Sequence, residues 1–197
     1  QETGQGWAYP MSATSEGIPS VPSPTSSDRY QQPPRILNET FHPYVVLFFN
    51  HMFPIMPIIP QNVYLDPNKF MNSTSTSPAL YCFFCALCAT TIIQLDASIP
   101  TPPPLRPGKA TDDVFAEECI RERRDYDYMT ASTLSVMTSF FLFCYHGNHE
   151  RHERAWYYLQ ESITMAENLN LDDEEAYSKL DPTEAQWRRR LYWLLFI

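Results

Sequence analysis

Proline placement does most to limit what this chain can fold into. The sequence carries 18 prolines against 5 glycines in 197 residues. A proline removes a backbone donor and restrains the residue before it, so inside a regular element it breaks or kinks that element. At the first position of a helix the same ring is tolerated, because that N–H has no intrahelical partner. Asp66-Pro67, Ser77-Pro78 and Asp181-Pro182 each place a side chain able to cap a helix before such a proline. In the last case Glu184 stands three residues after Asp181, which completes a helix-start signal. No alternating run of strand length appears. The sequence therefore predicts an all-α, multi-helix domain with proline-marked loops and no fixed-period repeat.

Composition divides the chain. Residues 1–37 are rich in Ser, Pro, Thr, Gln and Gly and poor in aliphatics, so they cannot bury enough apolar surface to offset their ordering entropy. They read as a disordered linker, and residues 38–197 as the folded part. Val45 to Phe53 gives a short apolar helix with Pro43 near its start, broken by Pro54, Pro57 and Pro60. Further helices are predicted from Pro78 to Leu95, from Thr111 through Arg124, from a Thr130 or Ser132 cap to a left-handed terminator at Gly147, and from Glu150 to Leu169. In that last helix Ala155, Leu159, Ile163, Ala166 and Leu169 or Asn170 share an apolar stripe. The final helix opens at Pro182 and reaches the end of the sequence. The start on Gln1 and the stop inside an apolar run lead us to expect a piece of a longer protein.

Several function classes are excluded. No G-x-G-x-x-G, G-x-x-x-x-G-K-[ST] or G-x-S-x-G occurs, which argues against dinucleotide folds, P-loop enzymes and α/β-hydrolases. A formal net charge of −9 argues against this stretch gripping nucleic acid itself. Two apolar runs, 79–95 and 131–145, lack charge, yet both fall short of the ~20 residues a bilayer needs. We expect two buried helices and no membrane.

Four constellations bear on chemistry. Cys82, Cys85 and Cys88 form C-x-x-C-x-x-C, but the fourth cysteine of a ferredoxin-type run is missing: that position is Ile92. Cysteine as a small apolar residue of a buried helix explains the pattern. His146, His149 and His152 repeat every three residues, with an expected turn at Gly147-Asn148 between them, so a solvated helix start accounts for them. Asp112, Asp113, Glu117 and Glu118 resemble the acidic magnesium-binding helix of terpene cyclases, but the third carboxylate position holds Ala116. Acidic residues in a first helical turn are favoured by the macrodipole in any case. Arg188, Arg189 and Arg190 project over a wide arc, so they cannot all serve one partner. Ion pairs with nearby carboxylates, including Asp172 to Glu175, are expected, with the aromatic residues after them in the core. No catalytic, cofactor or metal residue is assigned.

One family resemblance runs through these motifs. Ala155-Trp156-x-Tyr158 with Ile163-x-Met165-Ala166-x-x-Leu169-x-Leu171, followed by Glu184-x-x-x-Arg188-Arg189-Arg190-Leu191-Tyr192-Trp193-x-Leu195-Phe196, resembles the fungal-specific transcription factor domain, the middle homology region of fungal zinc-cluster regulators. Phe48 to Ile58 and Ser132 to Tyr145 resemble the same domain, so the likeness covers about residues 41–197. The family often has Gly where Asn170 stands and His where Asp172 stands; Asn is the next-best left-handed residue. The resemblance implies a nuclear, sequence-specific DNA-binding RNA polymerase II transcription factor. Zinc and DNA contact would belong to a six-cysteine N-terminal module outside this sequence. The middle region would control activation in response to a metabolite, with coregulators or a second copy as further partners. The family-motif residues are Trp156, Tyr158, Ala166, Arg188, Arg189, Arg190, Tyr192 and Trp193. Within the family, the pattern around Tyr157–Trp193 most resembles regulators of sugar and polysaccharide utilisation, including the maltose and starch type. Two other readings stand beside it: an all-α interaction or dimerisation scaffold without effector sensing, and an all-α metal-dependent enzyme built on Asp112, Asp113 and Glu117.

Overall fold

A computed structural model describes residues 34–59, 77–95, 103, 107–109, 111–127 and 130–196. The helices are α1 (His42–Leu47), continued by a π-helical turn (Phe48–Met52), α2 (Pro78–Gln94), α3 (Thr111–Glu122), α4 (Thr133–Asn148), α5 (His152–Asn168), the short α6 (Glu174–Tyr177) and α7 (Pro182–Leu195). No strand occurs among the described residues, so the fold is all-α. The Asp66-Pro67 start, most of the proline loop after Ile99 and nearly all of the segment read as linker lie outside the described residues. Of that segment, Arg35 to Leu37 are attached to the helical body, which begins at Arg35. Arg35 pairs with Glu122 at 2.5 Å, and the Ile36 N–H donates to the Tyr81 hydroxyl at 2.8 Å.

The capping chemistry acts as the sequence indicates. Ser77 Oγ accepts from the Leu80 N–H, Ser132 Oγ from the Ser135 N–H, and Asp181 from the Thr183 and Glu184 N–H groups. Each satisfies donors that a helix start leaves orphaned. Ser132, not Thr130, is therefore the cap of α4.

α2 is the axis of the body. Every residue from Leu80 to Thr91 is buried, with no exposed face. A helix apolar all round must be enclosed or membrane-embedded, and among the described residues no helix is long and apolar enough to cross a membrane. Here α1, α3 and α4 enclose it. Aromatic edges lock the layers, with ring centroids 5.4 Å apart for Phe41–Tyr81, 5.2 Å for Tyr44–Phe115 and 6.0 Å for Phe83–Phe141. Buried hydroxyls add ties between helices. Thr90 Oγ1 donates to the Phe141 carbonyl at 2.6 Å, and Ser162 Oγ to the Val136 carbonyl at 2.9 Å.

α4 and α5 form a helical hairpin, and its turn corrects the sequence reading. Gly147 is not the left-handed terminator; it is helical, and α4 runs on to Asn148. The left-handed residue is Glu150, with φ 56°. The Glu150 N–H bonds to the Gly147 carbonyl and the Arg151 N–H to that of His146, which is a Schellman ending. α5 ends the same way at Asn170, φ 51°, where the Leu171 N–H reaches the Ala166 carbonyl. Asparagine does take the left-handed role there.

The buried stripe of α5 is Ala155, Ser162, Met165 and Ala166, with Leu159, Ile163 and Leu169 half-buried and Asn170 exposed. α7 lies against α4 and α5 through Ala185, Leu191 and Leu195. The expectation that the aromatic residues after the arginines are core fails for Trp193, which is 61% exposed, and Trp156 is 69% exposed. The reason is angular. At roughly 100° per residue, Trp193 stands about 200° around the helix from the buried Leu191. Trp156 follows directly on buried Ala155 and is turned away from the stripe. We therefore expect Trp156→Ala and Trp193→Ala each to change the unfolding free energy by no more than about 0.5 kcal/mol, against about 3–5 kcal/mol for a buried tryptophan. Urea titration followed by circular dichroism checks this.

Candidate functional site

The arginine triplet of α7 reaches three separate partners. Arg188 Nε donates to Glu184 at 2.9 Å, one turn back on the same helix. Arg189 makes a forked contact with Glu174 on α6, at 2.9 and 2.7 Å, and its guanidinium lies 4.8 Å from the centre of the Tyr177 ring. Arg190 donates to the Pro57 carbonyl at 3.4 Å and covers the Trp187 ring at 4.7 Å. Glu174 belongs to the acidic stretch expected to pair with these residues. The triplet thus holds α6 and the proline-broken segment after α1 against α7. Arg189 and Glu174 are exposed enough that their pairing contributes little stability and mainly sets geometry.

Between α4 and α7 lies a cavity of about 240 Å³, closed on one side by Ile58. Ile58, Leu134, Met137 and Leu191 supply apolar wall; Thr133, Glu184 and Arg188 supply polar groups. Trp187 contributes its indole, and its Nε1–H is buried without a hydrogen-bond partner. An unpaired buried donor costs on the order of 1–3 kcal/mol. No single-sequence signal marks this cavity, because its residues come from stretches far apart in the chain.

Tyr158, the second aromatic of the α5 motif, stacks on His146 with ring centroids 5.3 Å apart and planes 4° apart. The Arg123 guanidinium lies 5.6 Å from the centre of the Tyr158 ring. Arg123 in turn pairs with Glu161 at 2.7 Å and donates to Ser139 Oγ, a buried set that joins the end of α3 to α4 and α5. Removing one member of such a set strands the other in a dry environment. Ala166 is buried at the α5 ending, and Tyr192 is half-buried with its ring 4.7 Å from that of Phe196.

The three histidines do not converge. His146 is fully buried inside α4, not at a solvated helix start, because α4 extends past it. Its two ring nitrogens have no partner. Burial, then the positive charges of Arg151, Arg154 and nearby His149, push its pKa down to about 4. His149 Nε2 lies 2.8 Å from Asp112, and His152 is exposed at the start of α5.

The acidic helix start also disperses. Asp113 accepts from the Tyr145 hydroxyl at 2.5 Å, and this bond with the charges of His149 and Arg151 holds its carboxyl below the usual range. Glu117 pairs with Lys109, while Glu118 accepts from the Tyr81 hydroxyl at 2.7 Å on another side of α3. Asp112, Asp113 and His149 do bring three potential ligand atoms within 4.8 Å of one another. The Arg151 guanidinium, 3.6 Å from Asp113, already supplies the positive charge there. Glu117, the third carboxylate of the enzyme reading, pairs with Lys109 and does not join Asp112 and Asp113. Cys82, Cys85 and Cys88 are wholly buried in α2, and burial raises the thiol pKa of Cys85 and Cys88 far above the ordinary value. Such thiols stay protonated and pack as small apolar groups.

The fungal specific transcription factor domain matches residues 45–197, a span that includes the motif-bearing α4, α5 and α7. The chain belongs to that family, a family of transcription regulators and not of enzymes. One relative is the probable sucrose utilization protein SUC1 of Candida albicans, 32% identical over 128 residues. That alignment covers 64% of this chain and 26% of the relative, so the chain spans about a quarter of the length of the curated relative it matches. No solved structure matches.

His146 gives a pH prediction. An exposed histidine takes its proton near 6.5, whereas His146 does so only near 4. Its folded pKa is depressed, so its contribution is fully present above 6.5 and lost as pH falls toward 4. The difference amounts to about 3 kcal/mol. Urea unfolding of the wild type should lose about that much more stability between pH 7 and pH 4 than His146→Phe does. Parallel pH profiles for the two proteins would contradict it.

Proposed function

We propose that residues 38–197 are the N-terminal part of the regulatory region of a zinc-cluster transcription factor acting in the nucleus, and that residues 1–37 link it to the DNA-binding module. The match of the family across almost the whole helical body carries this reading. The relative's role in sucrose utilisation supports carbohydrate metabolism as the regulated process. The net charge of −9 supports a division of labour in which a separate basic, zinc-holding module contacts DNA. The helical body restrains activation until a metabolite binds. The exposed Trp156, Tyr157, Trp193 and Phe196 support docking of a coregulator or a second copy on the outer faces of α5 and α7. They are also what favours the second reading, a scaffold without effector sensing.

Deleting residues 41–197 from the full-length regulator separates the two. Reporter transcription should become independent of the sugar supplied. Unchanged sugar dependence after the deletion would contradict the regulatory reading and leave the scaffold.

A further inference from the structure

The cavity between α4 and α7 has walls of two kinds. Ile58, Leu134, Met137 and Leu191 offer apolar surface, and the Trp187 indole adds an aromatic one. Thr133, Glu184 and Arg188 offer hydrogen-bonding groups beside it. Pockets that bind small molecules combine a mostly apolar lining with a few placed polar groups.

The charge balance narrows the ligand class. Glu184 and Arg188 are paired at 2.9 Å, so the carboxylate and guanidinium offset one another. An ionic ligand entering here would lose hydration without meeting an uncompensated opposite charge. A neutral ligand with hydroxyls loses less. A hydroxyl both donates and accepts, so it can give to the Glu184 carboxylate, receive from the Arg188 guanidinium and do either with Thr133. Size narrows it again: about 240 Å³ lies just below the roughly 300–1,000 Å³ of sites for drug-sized molecules. A small neutral ring with an apolar C–H face and a hydroxyl edge meets all three conditions.

We propose that this cavity binds one hexose unit of a neutral sugar. The proposal rests on the effector-responsive reading above, and names both the effector's chemical class and its site. Occupancy would couple three pieces of the fold. α7 carries Glu184 and Arg188, α4 carries Thr133 and Leu134, and Ile58 belongs to the segment that Arg190 holds at Pro57. A sugar contacting both helices favours the state in which α7 is docked, and shifts the population toward it.

The test uses the full-length protein and isothermal titration with D-glucose, D-fructose and sucrose, with succinate as a charged control. Saturable binding of at least one sugar and none of succinate is expected. Glu184→Gln unbalances the ion pair and Thr133→Val removes a hydroxyl at nearly constant shape; each should weaken binding about tenfold. Far-UV circular dichroism of each variant checks that the fold is kept. Failure to bind any of the sugars, binding of succinate in their place, or equal affinity in both folded variants would overturn the site. A reporter assay on the same proteins keeps the two claims apart. Sugar-dependent transcription with unaltered binding in the variants removes the site and leaves the regulatory reading. Variant-sensitive sugar binding without any transcriptional response removes the regulatory reading and leaves the site.

Discussion

A helix with no charged residue along its length has to be covered on every side, and α2 imposes that demand on the rest of the body. Its twelve successive buried residues, Leu80 to Thr91, leave no face for water. α1, α3 and α4 therefore close around it, and the aromatic contacts of Phe41, Phe83, Phe115 and Phe141 fill the space between them. The three cysteines of α2 follow from the same demand. Small, weakly polar side chains allow close approach where larger ones would hold the neighbours apart.

The second layer is of a different kind. α5 and α7 bury narrow stripes and turn large aromatic residues outward. Their attachment depends on particular polar contacts: Ser162 to the α4 backbone, Arg123 with Glu161, and the separate arginines of α7. Such contacts fix position more than they add stability, since net gains per hydrogen bond are about 1 kcal/mol. α5 is packed along α4 in the most extensive helix–helix contact among the described residues, whereas α7 meets α4 and α5 through few residues and is the part that can shift at modest cost. The cavity lined by Ile58, Leu134 and Trp187 sits where α7 meets α4.

The legible parts of the fold were those written in local chemistry. Ser77-Pro78 and Asp181-Pro182 placed two helix starts, because capping is decided within four residues. The charge-free run marked α2 as buried, and the spread of Arg188, Arg189 and Arg190 marked them as serving different partners. What was not legible depended on register and on distant pairing. Gly147 reads as a terminator, yet two Schellman bonds stop the helix at a glutamate three residues on. His146 reads as solvated, but it stands in the last turn of α4 on the face that is turned into the core. Trp193 reads as core by composition, while the face that α7 presents is set by its contacts with α4 and α5. The cavity combines Ile58 with residues more than seventy positions later in the chain, and local pattern carries no record of that meeting.

Native-state hydrogen exchange on this chain tests the central claim, that α2 is the enclosed axis and α7 the loosely held layer. Amides of α2 should exchange only through global unfolding, while those of α7 exchange through a smaller opening of lower free energy. Protection in α2 no greater than in α7 would contradict the account.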